Sequence, residues 1–236
     1  MKALIDAALD GRAFCEIDPR AILLEAQVLP TLGAPLPRVS GGMRVRLGFE
    51  VHEQDAARRR AVLSRVYAWA EGGRELTLSS RPSERLFVRL RELPESSTLR
   101  WGDRLTLVFD APFPYWEAAA RRIALRGTSG EGALSAEGLG SFVAAQIRPE
   151  ATLRQLELCA GATRMTFLGL DVPAGGTLSL SYDAAHVLHL TDPAPRLLCR
   201  TPQSADDLFL PPGRGRVFFS SDAPCTVEFV SRGLRR

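Results

Sequence analysis

The sequence predicts a mainly β fold of the α+β class, arranged as two domains. Three observations support this prediction. One early stretch alternates apolar and polar residues, a later stretch has the apolar spacing of a helix, and the second half holds short strand candidates separated by turn signals. The length of 236 residues is enough for two small domains that each bury a core.

The first strands lie before residue 52. Residues 21–28 form a short apolar run that fits a strand, and the prolines and glycines after it predict a loop from Pro30 to Gly42. Residues 43–51 then alternate strictly, as in a strand with one face in the core. The side chains expected on that buried face are Met43, Val45, Leu47, Phe49 and Val51.

A single amphipathic helix follows the alternating strand. Val62, Val66 and Trp69 have the i, i+3, i+4 spacing of one buried stripe. Asp55 is placed to cap the first turn, and the glycine pair at 72–73 ends the helix. We therefore expect Trp69 to lie in the core.

Strands return after the helix, at residues 75–78, 85–92 and 99–109, and predict an antiparallel sheet on which the helix packs. Residues 110–117 contain two prolines and two large aromatic residues, so they cannot continue a central strand. We place the domain boundary there, which gives domains 1–117 and 118–236.

The second domain is predicted to be an all-β sandwich. Residues 126–140 are rich in glycine and serine, and we interpret them as a flexible interdomain loop. The glycines at 127, 130 and 132 lack the Lys-Ser or Lys-Thr of a phosphate-binding loop. Short strand candidates then follow at the spacing of a sandwich, at residues 153–159, 163–168, 177–182, 187–190, 216–220 and 225–230.

Composition gives no sign of a nucleic-acid, membrane or cofactor partner. A net charge of +3 is too weak to predict nucleic-acid binding, because phosphate neutralisation needs a clustered basic face, and we expect no sequence-specific nucleic-acid partner. No apolar stretch approaches the roughly 18 residues of a bilayer span and no secretion signal is visible, so we expect no membrane insertion. The cysteines at 15, 159, 199 and 225 form no C-x-x-C pair, and we expect reduced, mostly buried thiols and no cofactor.

One polar group has the spacing of metal ligands. Asp183, His186, His189 and Asp192 are three residues apart and would share one face of a helix. The residues around them indicate a strand or hairpin, in which residues three apart point to opposite faces. Ordinary surface histidines are therefore favoured over a metal site, and His52 is given no role.

Two further sets of charged residues are candidates for catalysis or subunit contact. Asp110, Glu117, Asp206 and Asp207 supply carboxylates of the kind that hydrolyse glycosides, but nothing fixes their separation. No G-x-S-x-G motif supports a serine nucleophile, and we expect no enzyme. The three arginines at 58–60 are expected on a solvated helix face, with a neighbouring subunit's acidic rim as the alternative.

Two segments carry a resemblance to a known family. The first is LTLVFDAPFPYWE at residues 105–117, preceded by the helix that ends in Ala-Trp-Ala, an Arg-Pro turn and Trp101. The second is GTLSLSYD at residues 176–183, followed by Pro212-Gly213 and a final strand. Together they resemble the distal tail proteins of siphophages, the Dit-like phage tail components. The diagnostic residues, expected to be structural, are Trp69, Trp101, Phe109, Pro114, Tyr115, Trp116 and Glu117.

The resemblance implies an N-terminal split-barrel-like β-sandwich with one packed helix and a C-terminal galectin-like β-sandwich. It also implies a structural protein of the virion tail of a phage or prophage, whose homo-hexameric ring joins the tail tube protein to the tail tip protein and leaves a passage for DNA. Two other functions stay open. One is an adhesion module that binds host surface carbohydrate, and the other is a tail-associated hydrolase.

Overall fold

The computed structural model describes residues 5–30, 42–92, 103–183, 186, 188–191 and 207–236. Within these ranges the chain divides into two units, one ending at Trp116 and including Arg236, the other running from Glu117 to Arg235. Trp101, Asp192, Cys199, Asp206 and most of the predicted loop from Pro30 to Gly42 lie outside the described residues.

The first unit contains nine strands, one α-helix and a short 3-10 helix, Phe14–Glu16, among the described residues. Its elements are β1 (Ala7–Leu9), β2 (Arg12–Ala13), β3 (Ala21–Pro30), β4 (Met43–Val51), α1 (Ala56–Gly72), β5 (Glu75–Leu78), β6 (Arg81–Phe87), β7 (Arg89–Glu92), β8 (Asp103–Ala111) and β9 (Trp116–Ala118), the last of which crosses into the second unit.

One layer of this unit is a four-stranded antiparallel sheet in the order β3-β4-β8-β7. The register places Leu47 of β4 between Ala26 of β3 and Leu107 of β8, so apolar side chains from three strands meet on one face. The predicted alternation of β4 is confirmed, because its five odd-numbered residues are all buried. The other layer places β6, β5, β1 and β2 in that order.

Helix α1 begins and ends where the sequence predicts. The Asp55 carboxylate accepts a hydrogen bond from the backbone N–H of Arg58 at 2.8 Å, and Gly73 follows the last turn. Trp69 is buried, stacks edge-on against Phe14 with ring centroids 5.3 Å apart, and donates its indole N–H to the Arg12 carbonyl at 2.9 Å. The helix therefore fixes the 3-10 turn as well as covering the core.

The second unit is an antiparallel β-sandwich. Its strands are β10 (Arg121–Ala136), β11 (Ser141–Pro149), β12 (Leu153–Ala160), β13 (Thr163–Val172), β14 (Leu178–Tyr182), β15 (Leu188–Thr191), β16 (Phe209–Leu210), β17 (Gly213–Ser231) and β18 (Leu234–Arg235). The main path runs β13-β12-β17-β11-β14-β15, with β10 beside β17 and β16 beside β11.

The expectation of a flexible loop at residues 126–140 is wrong, because β10 continues through it as a strand paired with β17. The pair shifts register between Gly127 and Ser129, and Gly127 has a φ of 124°. In β17, residues 217–221, which precede this bend, pair with β12, whereas residues 225–231, which follow it, pair with β11. The strand pair thus passes from one layer of the sandwich to the other.

The glycines of β10 make room for neighbouring side chains at this bend. A Cβ on Gly132 would lie 2.4 Å from the Ile123 side chain, and one on Gly130 would lie 2.7 Å from the Phe219 ring. The missing side chains let the two halves of β10 pack closely. Glycine enrichment here marks close packing of strands, where sequence reasoning expects a loop.

The prediction of a mainly β protein with one packed helix is confirmed. No helix in the described part of the chain is long and apolar enough to cross a bilayer.

Candidate interaction surface and buried ion pairs

Strand β3 forms an edge of the four-stranded sheet in the described structure. It is ten residues long, and the side chains of Ile22 and Leu29 are 40% and 42% exposed. An edge strand offers unpaired backbone N–H and C=O groups to another chain, and a long apolar one is prone to association. We name β3 with these two side chains the β3 edge.

A cavity of about 310 Å³ opens beside the β3 edge. Ile5, which is 42% exposed, lies on its wall together with Ile22. The other lining residues are Asp6, Phe14, Cys15, Pro19, Ala21 and Leu23. Exposed Ile5 and Ile22 thus meet at this cavity, whereas exposed Leu29 lies near the other end of β3.

A buried ion network holds the start of β3 in place. Asp18 is 4% exposed, and its carboxylate pairs with Arg20 at 3.0 Å and with Arg65 of helix α1. Arg20 also pairs with Glu53 at 2.7 Å. Burial alone would raise the pKa of Asp18, but hydrogen bonds from the Arg20 backbone, the Arg20 side chain and Arg65 lower it to about 2. The carboxylate is therefore charged at neutral pH and anchors β3 to the helix.

The resemblance segment is buried in the structure. Phe109 lies in the core on β8, and Pro114, Tyr115 and Trp116 are also buried. The Arg81 guanidinium stands over the Trp116 ring, 5.3 Å from its centroid. Trp101 lies outside the described residues.

Glu117 begins the second unit as part of a buried ion cluster. Its carboxylate lies 2.8 Å from His186 Nε2 and 3.8 Å from Arg232 Nε, and the Glu117 and His186 side chains are 8% and 7% exposed. The His186 ring packs against Phe142 and Tyr182 at centroid distances of 5.2 and 5.9 Å. Sequence reasoning missed this pair, because 69 residues separate its members and no local pattern links them.

Two other described members of the histidine-aspartate group, Asp183 and His189, contact each other and not Glu117. His189 lies on β15 and contacts Asp183 at 3.0 Å, with both side chains about half exposed. The strands β14 and β15 form the hairpin that the sequence favours over a helix. Among the described residues no group of three or more ligating side chains could hold a metal ion.

The remaining charged residues that the sequence singles out each have their own surroundings. Asp110 contacts Arg44 and Arg91 at 3.3 and 3.4 Å, and His52 contacts Glu50 at 3.4 Å. Asp207 begins the last described segment. In the arginine run, residues 58 and 60 are exposed, whereas the Arg59 side chain donates to the carbonyls of residues 53 and 54.

The cysteines described are free thiols, but the expectation of mostly buried ones is only partly right. Cys225 is buried, Cys159 is half-buried and Cys15 is exposed. Burial raises the pKa of the Cys225 and Cys159 thiols, which keeps them protonated and unreactive.

Comparison with known proteins gives a match in structure. A scan against protein-family models finds no match. A search of curated proteins finds none either. Among solved structures, the crystal structure of the SPP1 Dit (gp 19.1) protein, described as a paradigm of the hub adsorption apparatus in phages that infect Gram-positive bacteria, matches with a TM-score of 0.60.

This match extends over both units. It covers 98% of this chain and 99% of the SPP1 Dit chain, at 13% sequence identity. At that identity the likeness is one of fold. The resemblance to phage distal tail proteins that the sequence predicts is therefore confirmed at the level of fold: this chain shares the fold of the SPP1 Dit protein.

Proposed function

We propose that the protein is a structural component of a long non-contractile tail of a phage or prophage, located in the virion tail. In this proposal a homo-hexameric ring joins the tail tube to the tail tip and its host-adsorption apparatus. The single observation that supports this best is the fold match, which spans nearly the full length of both chains and involves a hub adsorption protein. We assign ring formation to domain 1–117 and an outer position to domain 118–236.

The β3 edge supports assembly as the mode of action. Exposed Ile22 and Leu29 on a ten-residue edge strand are costly in an isolated protein, because water contacts apolar surface that a neighbour would cover. A contact of this edge with a different patch on the next copy is heterologous, and heterologous contacts close into rings when the rotation fits. We infer that a neighbouring copy covers the β3 edge.

The environments of the carboxylates favour a structural role over hydrolysis. Asp110 contacts two arginines, and buried Glu117 contacts His186 and Arg232. Each of these carboxylates has a partner in its own unit that explains its position. The assignment as a non-enzyme is therefore part of the proposal.

Sedimentation velocity of the purified full chain tests the inferred interface. The variant Ile22→Asp, Leu29→Asp places two charges on the β3 edge, and we expect it to shift the protein from a ring-sized species to a monomer. The matched control is Leu168→Asp on β13 of the second unit, where the side chain is 57% exposed. Equal behaviour of the double variant and the wild type would refute the role of the β3 edge.

A further inference from the structure

The outer face of the four-stranded sheet carries a concentration of positive charge. The inner face of the same strands forms the core, so the alternate residues of each strand point away from it. At one end of this outer face, four arginines surround a single aspartate. We name this group the arginine patch; it consists of Arg44, Arg46, Arg89, Arg91 and Asp110.

Strand register brings these residues together from three strands. Arg44 on β4 and Arg89 on β7 both stand opposite Asp110 on β8, and Arg46 follows Arg44 on the same face of β4. Asp110 contacts Arg44 Nε at 3.3 Å and Arg91 at 3.4 Å. The Asp110 carboxylate therefore forms ion pairs with two of the four guanidinium groups.

The other two arginines keep uncompensated charge. Arg46 and Arg89 are exposed, and neither makes an ion pair within the described part of the chain. Arg46 faces Val108 on the neighbouring strand, and that side chain is uncharged. Glu92 of β7 also stands opposite Val108, so the four arginines and two carboxylates at this end of the sheet leave an excess of two positive charges at neutral pH.

Apart from Asp110 and Glu92, two further acidic residues, Glu25 and Glu50, lie at the opposite end of this face. The Glu25 side chain lies over Gly48, since a Cβ added to this glycine would be only 2.7 Å from it. The Glu25 carboxylate also lies 3.9 Å from the Arg104 guanidinium. Glu50 lies 3.4 Å from His52. These carboxylates have their own cationic neighbours and do not neutralise the arginine patch.

We propose that the arginine patch is a contact surface for the phosphate backbone of double-stranded DNA, without sequence preference. Guanidinium groups match phosphate oxygens bidentately, and alternate residues on a strand stand about 7 Å apart, which gives a repeated row of donors. The patch lies on a sheet face, so it suits contact with the phosphate backbone rather than with base edges. The choice of DNA among polyanions rests on the proposed function, because the resemblance to phage distal tail proteins implies a ring that leaves a passage for DNA.

Fluorescence anisotropy with a labelled DNA duplex of random sequence tests this proposal on the full chain. The variant Arg44→Gln, Arg46→Gln changes an inner strand and leaves the Asp110–Arg91 pair in place. The matched control, Arg58→Gln, Arg60→Gln, removes the same charge from exposed positions on α1. We expect the patch variant to bind on the order of tenfold more weakly and to lower the salt slope by about two, and the control to bind as the wild type does.

Three outcomes would overturn the inference. The first is that the wild type does not bind DNA in a salt-dependent way. The second is that the patch variant and the control variant lose the same affinity. The third is that a polyglutamate peptide displaces the labelled DNA at a lower concentration than an unlabelled duplex does. The last outcome would identify an acidic protein segment as the partner. Sedimentation of the same samples separates this inference from the proposed function. If the protein forms rings and the patch variant still binds DNA, only the DNA-contact inference is contradicted. If the protein does not assemble but binds DNA through the patch, only the proposed ring is contradicted.

Discussion

The two units both enclose an antiparallel β core, but they hold it together differently. The first unit joins its layers with helix α1 and a buried ion network around Asp18. The second has no α-helix in its described residues and joins its layers through the strand pair β10 and β17, which bends from one layer into the other. The first unit therefore links its layers through side chains and charges, and the second links its layers through a continuous strand pair with glycines at its bend.

The largest expected effect is on the stability of the first unit, through a side chain of helix α1. Trp69→Ala removes a buried indole, its edge-on contact with Phe14 and its hydrogen bond to the Arg12 carbonyl. We expect a loss of about 4 kcal/mol in the unfolding free energy of the first unit, with the second unit unchanged. Calorimetry that resolves two transitions checks this. Trp69→Phe is the control and should lose less, while a parallel loss in both transitions would show that the units unfold as one.

A substitution at the bend of β10 tests the second unit. In Gly130→Val the added side chain meets the Phe219 ring and Leu125, so we expect a loss of about 2 kcal/mol, confined to the second transition. Gly72→Ala, at the end of α1, has open space around it and serves as the control with little change. Unchanged stability of Gly130→Val in urea unfolding would mean that close packing across the bend is unimportant.

The smallest expected effect concerns pH. The pKa of Asp18 is lowered to about 2 in the folded unit, so its contribution is complete above the ordinary carboxylate range and is lost as pH falls from about 4 toward 2. The loss should amount to about 2 kcal/mol in the first unit. Unfolding curves from pH 6 down to pH 2 follow it, and about half of the loss should be present at pH 3. Asp18→Asn should be less stable at pH 6 and should show a weaker pH dependence; the same slope in both proteins would contradict the role of this network.

Local patterns in the sequence predicted the elements whose signal is local. The alternation of β4, the Asp55 cap and the Trp69 stripe all appear in the structure as expected. The glycines of β10 were misread, because their purpose depends on Ile123 and Phe219, which only the folded sandwich brings against them. The Asp18–Arg65 and Glu117–His186 pairs join residues 47 and 69 positions apart, and no periodicity reports such contacts.

The arginine patch escaped sequence reasoning for a related reason. The net charge of +3 is small because acidic residues elsewhere balance the arginines. Strands β4 and β7 are far apart in sequence, but the order β4-β8-β7 places their arginines on one face. A whole-chain charge therefore says little about the local surface that a partner meets.

Negative-stain electron microscopy of the purified full chain tests the central claim most directly. The account predicts class averages of closed rings with sixfold symmetry around a central hole, and monomers when Ile22 and Leu29 are both replaced by aspartate. Uniform monomers of the wild-type protein at micromolar concentration, or open fibres without rotational symmetry, would contradict it.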